Sequence, residues 1–216
     1  MGDLMHVDSA VIGVEPGALV LGHRLYESTE PALCTTVEHR LAVALAPGQA
    51  RALADHLVAW DGPARETRPR PLTLNGFRVS ARDAVKPAEV DVNGRLALSA
   101  AIHRFSAANG HTLAAFGLTP RYMREANRGF STFEFQLAFE RGVRAGDPLT
   151  VHSALTHVGN SSMRILHVLS DARSGECVGS LEQSGVHLDL DARRPAPLPA
   201  ALRQAALERL VRAEGA

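Results

Sequence analysis

The sequence predicts an α+β protein, in which one long buried helix is accompanied by a run of strands and a shorter block with the same strand pattern precedes it. Three observations carry this. The stretch Asp91 to Leu118, DVNGRLALSAAIHRFSAANGHTLAAFGL, runs from a carboxylate through a glycine turn into a long apolar segment, as a helix packed on a sheet does. Residues 130–141, FSTFEFQLAFER, alternate with period two: Phe133, Phe135, Leu137 and Phe139 share one face, and Thr132, Glu134, Gln136 and Ala138 the other. The third is an internal echo. His23 and Glu38 recur as His167 and Glu182 at one offset (167 − 23 = 144; 182 − 38 = 144), and Val7, Ser9, Ala10, Val14 and Leu25 meet Val151, Ser153, Ala154, Val158 and Leu169.

Taken in order, residues 7–14, 18–26 and 33–43 are β-rich runs separated by the turn compositions Glu15-Pro16-Gly17 and Ser28-Thr29-Glu30-Pro31. Residues 49–60 have helical spacing, with Leu53, Leu57 and Trp60 on one stripe. Asp61 to Arg70 is rich in turn formers and mixed charge. The expected division is a partial unit at 1–60, a linker at 61–71 and a complete unit at 72–216. In the second part a strand is expected at 84–90 and a helix from about Leu96 to Asn109-Gly110. Thr119-Pro120 reads as an N-cap with proline at the first helical position. Strands are expected at 149–158, 163–171 and 176–190, then a proline-rich stretch and a final helix to about Arg212.

Composition narrows the function. Lys+Arg and Asp+Glu balance at 23 each, so no global field draws nucleic acid or an anionic membrane. No stretch approaches the roughly 20 apolar residues of a membrane span. The amino-terminal residues show no basic region followed by an apolar core, so a cytoplasmic location is expected. Cys34 and Cys177 fall in predicted strands and read as packed, reduced thiols. No His/Cys/Asp/Glu grouping has metal-ligand spacing, and no metal is expected. Neither a glycine-rich phosphate loop nor a Gly-x-Ser-x-Gly elbow occurs.

The second part carries a resemblance. Pro87-x-Glu89-x-Asp91-x-x-Gly94, the segment Ala114-Ala115-Phe116-Gly117-Leu118, Arg144-Ala145-Gly146-Asp147, the turn Gly159-Asn160-Ser161-Ser162 and Gly185-Val186-His187-Leu188-Asp189 before Arg193-Arg194 stand in order. In that order and spacing they resemble the hot-dog acyl-CoA thioesterases of the 4-hydroxybenzoyl-CoA thioesterase superfamily, from about Val85 to the C-terminal helix. The whole chain resembles a tandem hot-dog that has lost the front of its first unit, or one whose true start lies upstream of Met1. The resemblance implies a thioester substrate on CoA or an acyl carrier, no cofactor beyond that CoA, and a homodimer or higher oligomer, because hot-dog sites form where units meet. It implies Asp91 as nucleophile or general base, with the thioester carbonyl aimed at backbone N–H groups where the helix begins. A tetrahedral intermediate needs such donors, and hydrolysis needs either covalent attack or a proton acceptor for water.

This chain departs from that pattern. Where many relatives read Asp-x-x-Gly-His-x-Asn, it has Arg95 and Ala97, and Phe105 to Asn109 contains no acid. Asp91 therefore has two readings, a reacting carboxylate or a turn-forming residue before a helix. Arg95 either polarises the carbonyl or contacts a phosphate, or is a surface or ion-pair residue that, paired with Asp91, weakens it as a base. Gly94 would let backbone approach the thioester closely. His103 on the helix and Glu134 on the alternating strand are candidate substrate-binding residues, each with a structural alternative. His23, Glu38, His167 and Glu182 are expected to hold strands together. A thioesterase and a catalytically silent acyl-thioester binder or partner subunit both remain open. The hydration motif of a same-fold enoyl-CoA hydratase is missing.

Overall fold

The computed structural model describes residues 4–30, 32–64, 68 and 73–211. The chain forms two compact units, Met1–Arg68 and Pro69–Ala216. In the first, β1 (Met5–Glu15), β2 (Ala18–Glu27) and β3 (Ala32–Ala42) make a three-stranded antiparallel sheet in that order. Gly17 takes a φ of 75° in the first turn, where a side chain would be strained. Helix α1 (Pro47–Ala54) ends well short of the predicted stripe to Trp60, and it buries no residue. With no core beneath it, helical spacing alone does not extend the helix. Trp60 instead turns onto the sheet. A Cβ on Gly22 would lie 2.6 Å from its ring, the Arg24 guanidinium stands 4.9 Å from the ring centroid, and Nε1 donates to Glu38 Oε1 at 2.9 Å. Cys34 is exposed rather than packed, because it lies on a strand with little covering it.

The second unit contains β4 (Arg78–Ala84), a 3-10 turn at Pro87–Glu89, α2 (Leu98–Ala114), α3 (Pro120–Glu125), β5 (Arg128–Phe139), β6 (Pro148–Val158), β7 (Ser162–Asp171), β8 (Cys177–Asp189), β9 (Arg194–Pro195) and α4 (Ala200–Leu207). The main sheet order is β4-β6-β7-β8-β5, antiparallel throughout, with β9 beside β8. This is the hot-dog arrangement, α2 being the enclosed helix. Thr119 caps α3 by accepting from the Tyr122 N–H at 3.1 Å, as its position before Pro120 predicts.

Three boundaries differ from the sequence reading. The strand expected at 84–90 lies at Arg78–Ala84 instead. The apolar run after it is a loop whose Val85 is buried and whose Pro87 opens the 3-10 turn. The helix passes through Asn109-Gly110 to Ala114, because Leu113 and Phe116 continue into the core; tertiary packing outweighs one glycine. It stops at Gly117, whose φ is 101°, with the Leu118 N–H returning to Leu113 O at 3.1 Å. The final helix ends at Leu207, and Arg212 lies outside the described residues.

Two apolar clusters fill this unit. Ala101, Phe105 and Ala108 of α2 pack with Val85, Leu149, Val151, Leu169 and Leu181. Leu113, Phe116 and Leu118 pack with Leu155, Ile165, Leu198 and Ala206. Burying Phe105 alone removes enough apolar surface to contribute about 1.5–3 kcal/mol. Among the described residues no helix is long and apolar enough to cross a membrane.

The echo seen in the sequence has a counterpart in strand pairing. Ser9 faces His23 as Ser153 faces His167, and His23 faces Val37 as His167 faces Leu181 (153 − 9 = 167 − 23 = 181 − 37 = 144). The bulges coincide as well. Val11/Gly13 matches Leu155/His157, and Leu25/Tyr26 matches Leu169/Ser170 at the same offset of 144 (155 − 11 = 169 − 25 = 144).

Candidate active site

The loop before α2 is a tight hairpin. Val90 and Leu96 bridge antiparallel, the Asp91 N–H donates to Arg95 O at 2.7 Å, and the Gly94 N–H donates to Asp91 O at 2.9 Å. Gly94 closes the turn with a φ of 71°. The loop is pinned to α2 by Arg104, which donates to Ala84 O at 2.8 Å and pairs with Glu89. Glu89 also accepts the Lys86 N–H. Burial works against the Glu89 charge, but that N–H and Arg104 prevail and hold its pKa below the ordinary value.

Asp91 is exposed. Its Oδ1 accepts the N–H groups of Asn93 at 2.8 Å and Arg95 at 3.0 Å, which orients the carboxylate and leaves Oδ2 without a hydrogen bond. The Arg95 N–H above all, with Asn93 and the Arg95 charge, lowers its pKa. The group is therefore ionised at neutral pH and a weaker base than an ordinary aspartate. Helix α2 has Ala97 as its N-cap and no side-chain cap. The Ala97 N–H donates to Glu89 O at 2.8 Å, and the N–H groups that follow carry the positive end of the helix dipole.

Arg95 is exposed and forms no ion pair with Asp91; its stem lies against Gly142, where a Cβ would sit 2.9 Å from its Cδ. A second guanidinium, that of Arg144, lies beside Gly94, with Nη1 3.5 Å from where a Cβ would stand. Arg144 belonged to the Arg144–Asp147 motif, but only the folded loop reveals its closeness to Gly94. His103 is exposed on α2. Glu134 is half-buried and accepts from Ser184 Oγ at 3.0 Å across β5 and β8. The loop thus brings together Asp91, Gly94 and Arg95 and adds Arg144, while His103 stands on α2 and Glu134 on β5.

A cavity of about 320 Å³ lies by the far end of α2, lined by Ser80, His111, Thr112 and Ser153 with Arg78 and Arg209. None of the candidate site residues lines it. Behind it runs a polar chain. Ser80, at the β4 bulge, bonds to Val151 O at 3.2 Å and Ser153 Oγ at 2.6 Å; Ser153 Oγ lies 2.6 Å from His167 Nδ1. The three side chains thus form one hydrogen-bonded run linking β4, β6 and β7. Burial pushes the His167 pKa down to about 3, so it is neutral. Ser9 and His23 make the same bond at 2.8 Å in the first unit. The pair holds neighbouring strands, as the sequence reading expected. Among the described residues no group of His, Cys, Asp and Glu could hold a metal ion.

The fold is shared with solved hot-dog proteins. A Staphylococcus aureus protein solved in complex with CoA superposes with a TM-score of 0.58 at 14% identity, covering 62% of this chain and 84% of that one. A 1,4-dihydroxy-2-naphthoyl-CoA thioesterase from Synechocystis gives 0.55 at 19%, covering 59% and 94%. A Thermus thermophilus thioesterase complexed with coenzyme A and Zn gives 0.54 at 24%, covering 62% and 95%. At these identities the likeness is one of fold. No curated protein matches the chain in sequence. The Thioesterase-like superfamily profile, however, matches residues 85–206. The chain belongs to that superfamily.

Proposed function

We propose that this protein hydrolyses an acyl-CoA thioester at the loop preceding α2. The observation that carries the reading is Asp91, held by two backbone N–H groups on Oδ1 with Oδ2 free, directly before an uncapped helix start. Free N–H groups at a helix start can receive a developing oxyanion. Its lowered pKa keeps the carboxylate ionised, the state that direct attack requires. In that mechanism Oδ2 bonds to the thioester carbon and the CoA thiolate leaves. Water then cleaves the mixed anhydride, releasing the acid and regenerating Asp91. Arg95 and Arg144 give the loop two guanidinia suited to the phosphates of CoA, which favours CoA over a neutral thiol.

The site is proposed to be completed by a second subunit. β5 is an edge of its sheet, and Phe133, Phe135 and Phe139 on it are exposed; an apolar strand edge of this kind invites pairing. The first unit is proposed to be an incomplete hot-dog repeat, on the strength of the shared registers and bulges.

The second reading, a silent acyl-thioester binder, is favoured by the openness of Asp91 and the absence of an acid from α2 between Phe105 and Asn109. Release of free thiol from a panel of acyl-CoA substrates decides between them. Turnover is expected to fall about 10²–10⁴-fold in Asp91→Asn. In Arg95→Ala and Arg144→Ala, KM is expected to rise with kcat little changed. Saturable acyl-CoA binding without turnover in the wild type selects the binder. Full activity in Asp91→Asn removes Asp91 from the mechanism.

A further inference from the structure

The cavity at the far end of α2 has the makings of a binding site, and no step of the proposed hydrolysis uses it. It measures about 320 Å³ and its lining comes wholly from the second unit; that is the small end of the range for ligand pockets. Two guanidinia line it, those of Arg78 on β4 and Arg209 just past α4, and no carboxylate does. Among the described residues neither arginine pairs with an acid. The carbonyl end of α2 is equivalent to about half a negative charge, which two full guanidinium charges outweigh. The wall that carries Arg209 is fixed. Arg209 Nη1 donates to Ala205 O at 2.9 Å, which commits one of its donors and leaves the others. Leu210 bridges to Leu155, and the Val211 N–H donates to Leu155 O at 2.8 Å. Val211 packs so close to Gly76 that a Cβ there would lie 3.0 Å from its Cγ2. On another wall the His111 Nδ1–H donates to Ser80 O at 2.7 Å, which holds the ring in place. Val79, Ala115, Ala154 and Leu155 supply the apolar part of the lining.

We propose that this cavity binds a small organic carboxylate with an apolar body, its charge on Arg78 and Arg209 and its body against the apolar lining. A guanidinium presents two parallel N–H donors to the two oxygens of a carboxylate. In a recess partly shielded from water such a pair is stronger than on open surface. The apolar lining gives nothing to a bare inorganic anion, but it stabilises each methylene of an acid that is buried against it. Charge without an acid to balance it, beside apolar surface, therefore selects an amphipathic anion over both a neutral ligand and a simple ion. The inference does not rest on thioester hydrolysis, because Asp91, Arg95 and Arg144 stand outside this cavity.

The test titrates hexanoate into the full chain while methyl and amide NMR signals are followed. Saturable shifts are expected at the methyls of Val79, Ala115, Ala154 and Leu155. Butyrate is expected to bind about tenfold more weakly, for its shorter buried chain. Hexanol is expected to bind at least about tenfold more weakly than hexanoate, for want of a charge. Arg78 is exposed, so Arg78→Gln should fold, and it is expected to weaken hexanoate at least about tenfold. Arg209→Gln is expected to do the same, and Arg209→Lys, which keeps the charge, to lose less. The Val211 amide, bonded to Leu155 O, reports whether the wall survives in each variant. Absence of saturable shifts at the cavity methyls overturns the proposal. So does hexanol binding as tightly as hexanoate, or undiminished binding in both glutamine variants. Phosphate binding as tightly as hexanoate overturns it too, because the apolar lining would then contribute nothing. Shifts confined to the Asp91–Arg95 loop also overturn it, by placing the acid at the catalytic loop. Release of free thiol from acyl-CoA is expected to be unchanged in Arg78→Gln, so failure here and failure of the catalytic reading are told apart.

Discussion

The meanders β1-β2-β3 and β6-β7-β8 share strand pairing, bulge positions and a Ser–His bond, yet among the described residues only the second has buried helix residues of its own unit packed on it. The pairing pattern is set by backbone and turn chemistry and needs no cover. Burial is a separate matter, decided by whether an apolar stripe lies above. The same kind of residue therefore contributes differently in the two places. A valine on β1 keeps much of its contact with water, while its partner on β6 loses nearly all of it and gains the associated transfer energy.

The comparison is tested most severely by removing the contact that separates the two meanders. Phe105→Ala is expected to cost about 3–5 kcal/mol of second-unit stability, read by denaturant unfolding with hydrogen exchange followed on β7, while exchange on β2 stays as it was. Next comes a matched pair. Leu181→Ala should cost about 2–5 kcal/mol; Val37→Ala, at the equivalent but exposed position, should stay within about 1 kcal/mol. Equal losses would mean that Val37 is covered in solution.

Acid gives a third contrast. His167 is neutral in the fold, with a pKa of about 3, but protonates near its ordinary value when unfolded. Between those values the unfolded state binds more protons, so this contribution to stability is intact above about pH 6.5 and falls as pH drops, by up to about 1.4 kcal/mol per pH unit. Unfolding measured from pH 7 to pH 4 is expected to show this slope on β7 protection, and His167→Gln should flatten it. The smallest difference concerns the serines. Ser153→Ala removes the partner of a buried His167 ring nitrogen and should cost about 1–3 kcal/mol. The exposed Ser9→Ala should change stability by about 0.5 kcal/mol or less.

Much of this architecture was readable from residue order. Strand alternation, the Thr119-Pro120 start and the long helix all follow from local rules. What was missed follows from packing. The apolar run 84–90 resembles a strand, but Pro87 and the Arg104–Glu89 pair make it a pinned loop. The true strand, Arg78–Ala84, is charged on its outer side and bulged at Ser80, which hides its period. Asn109-Gly110 imitates a helix end, and only the core contacts of Leu113 and Phe116 carry the helix past it. On β5 a bulge between Thr132 and Glu134 interrupts the alternation; Phe133, Phe135 and Phe139 are exposed, while Leu137 and Phe130 pack against the core clusters. Of the candidate site, Asp91, Gly94 and Arg95 were legible because they are adjacent in sequence. Arg144 was not, since its closeness to Gly94 depends on the β5–β6 connection returning to the loop.

The single tryptophan of the chain stands over Gly22, with Arg24 above it and Glu38 at its nitrogen. Its emission is therefore a built-in optical reporter of the amino-terminal sheet, read without a label.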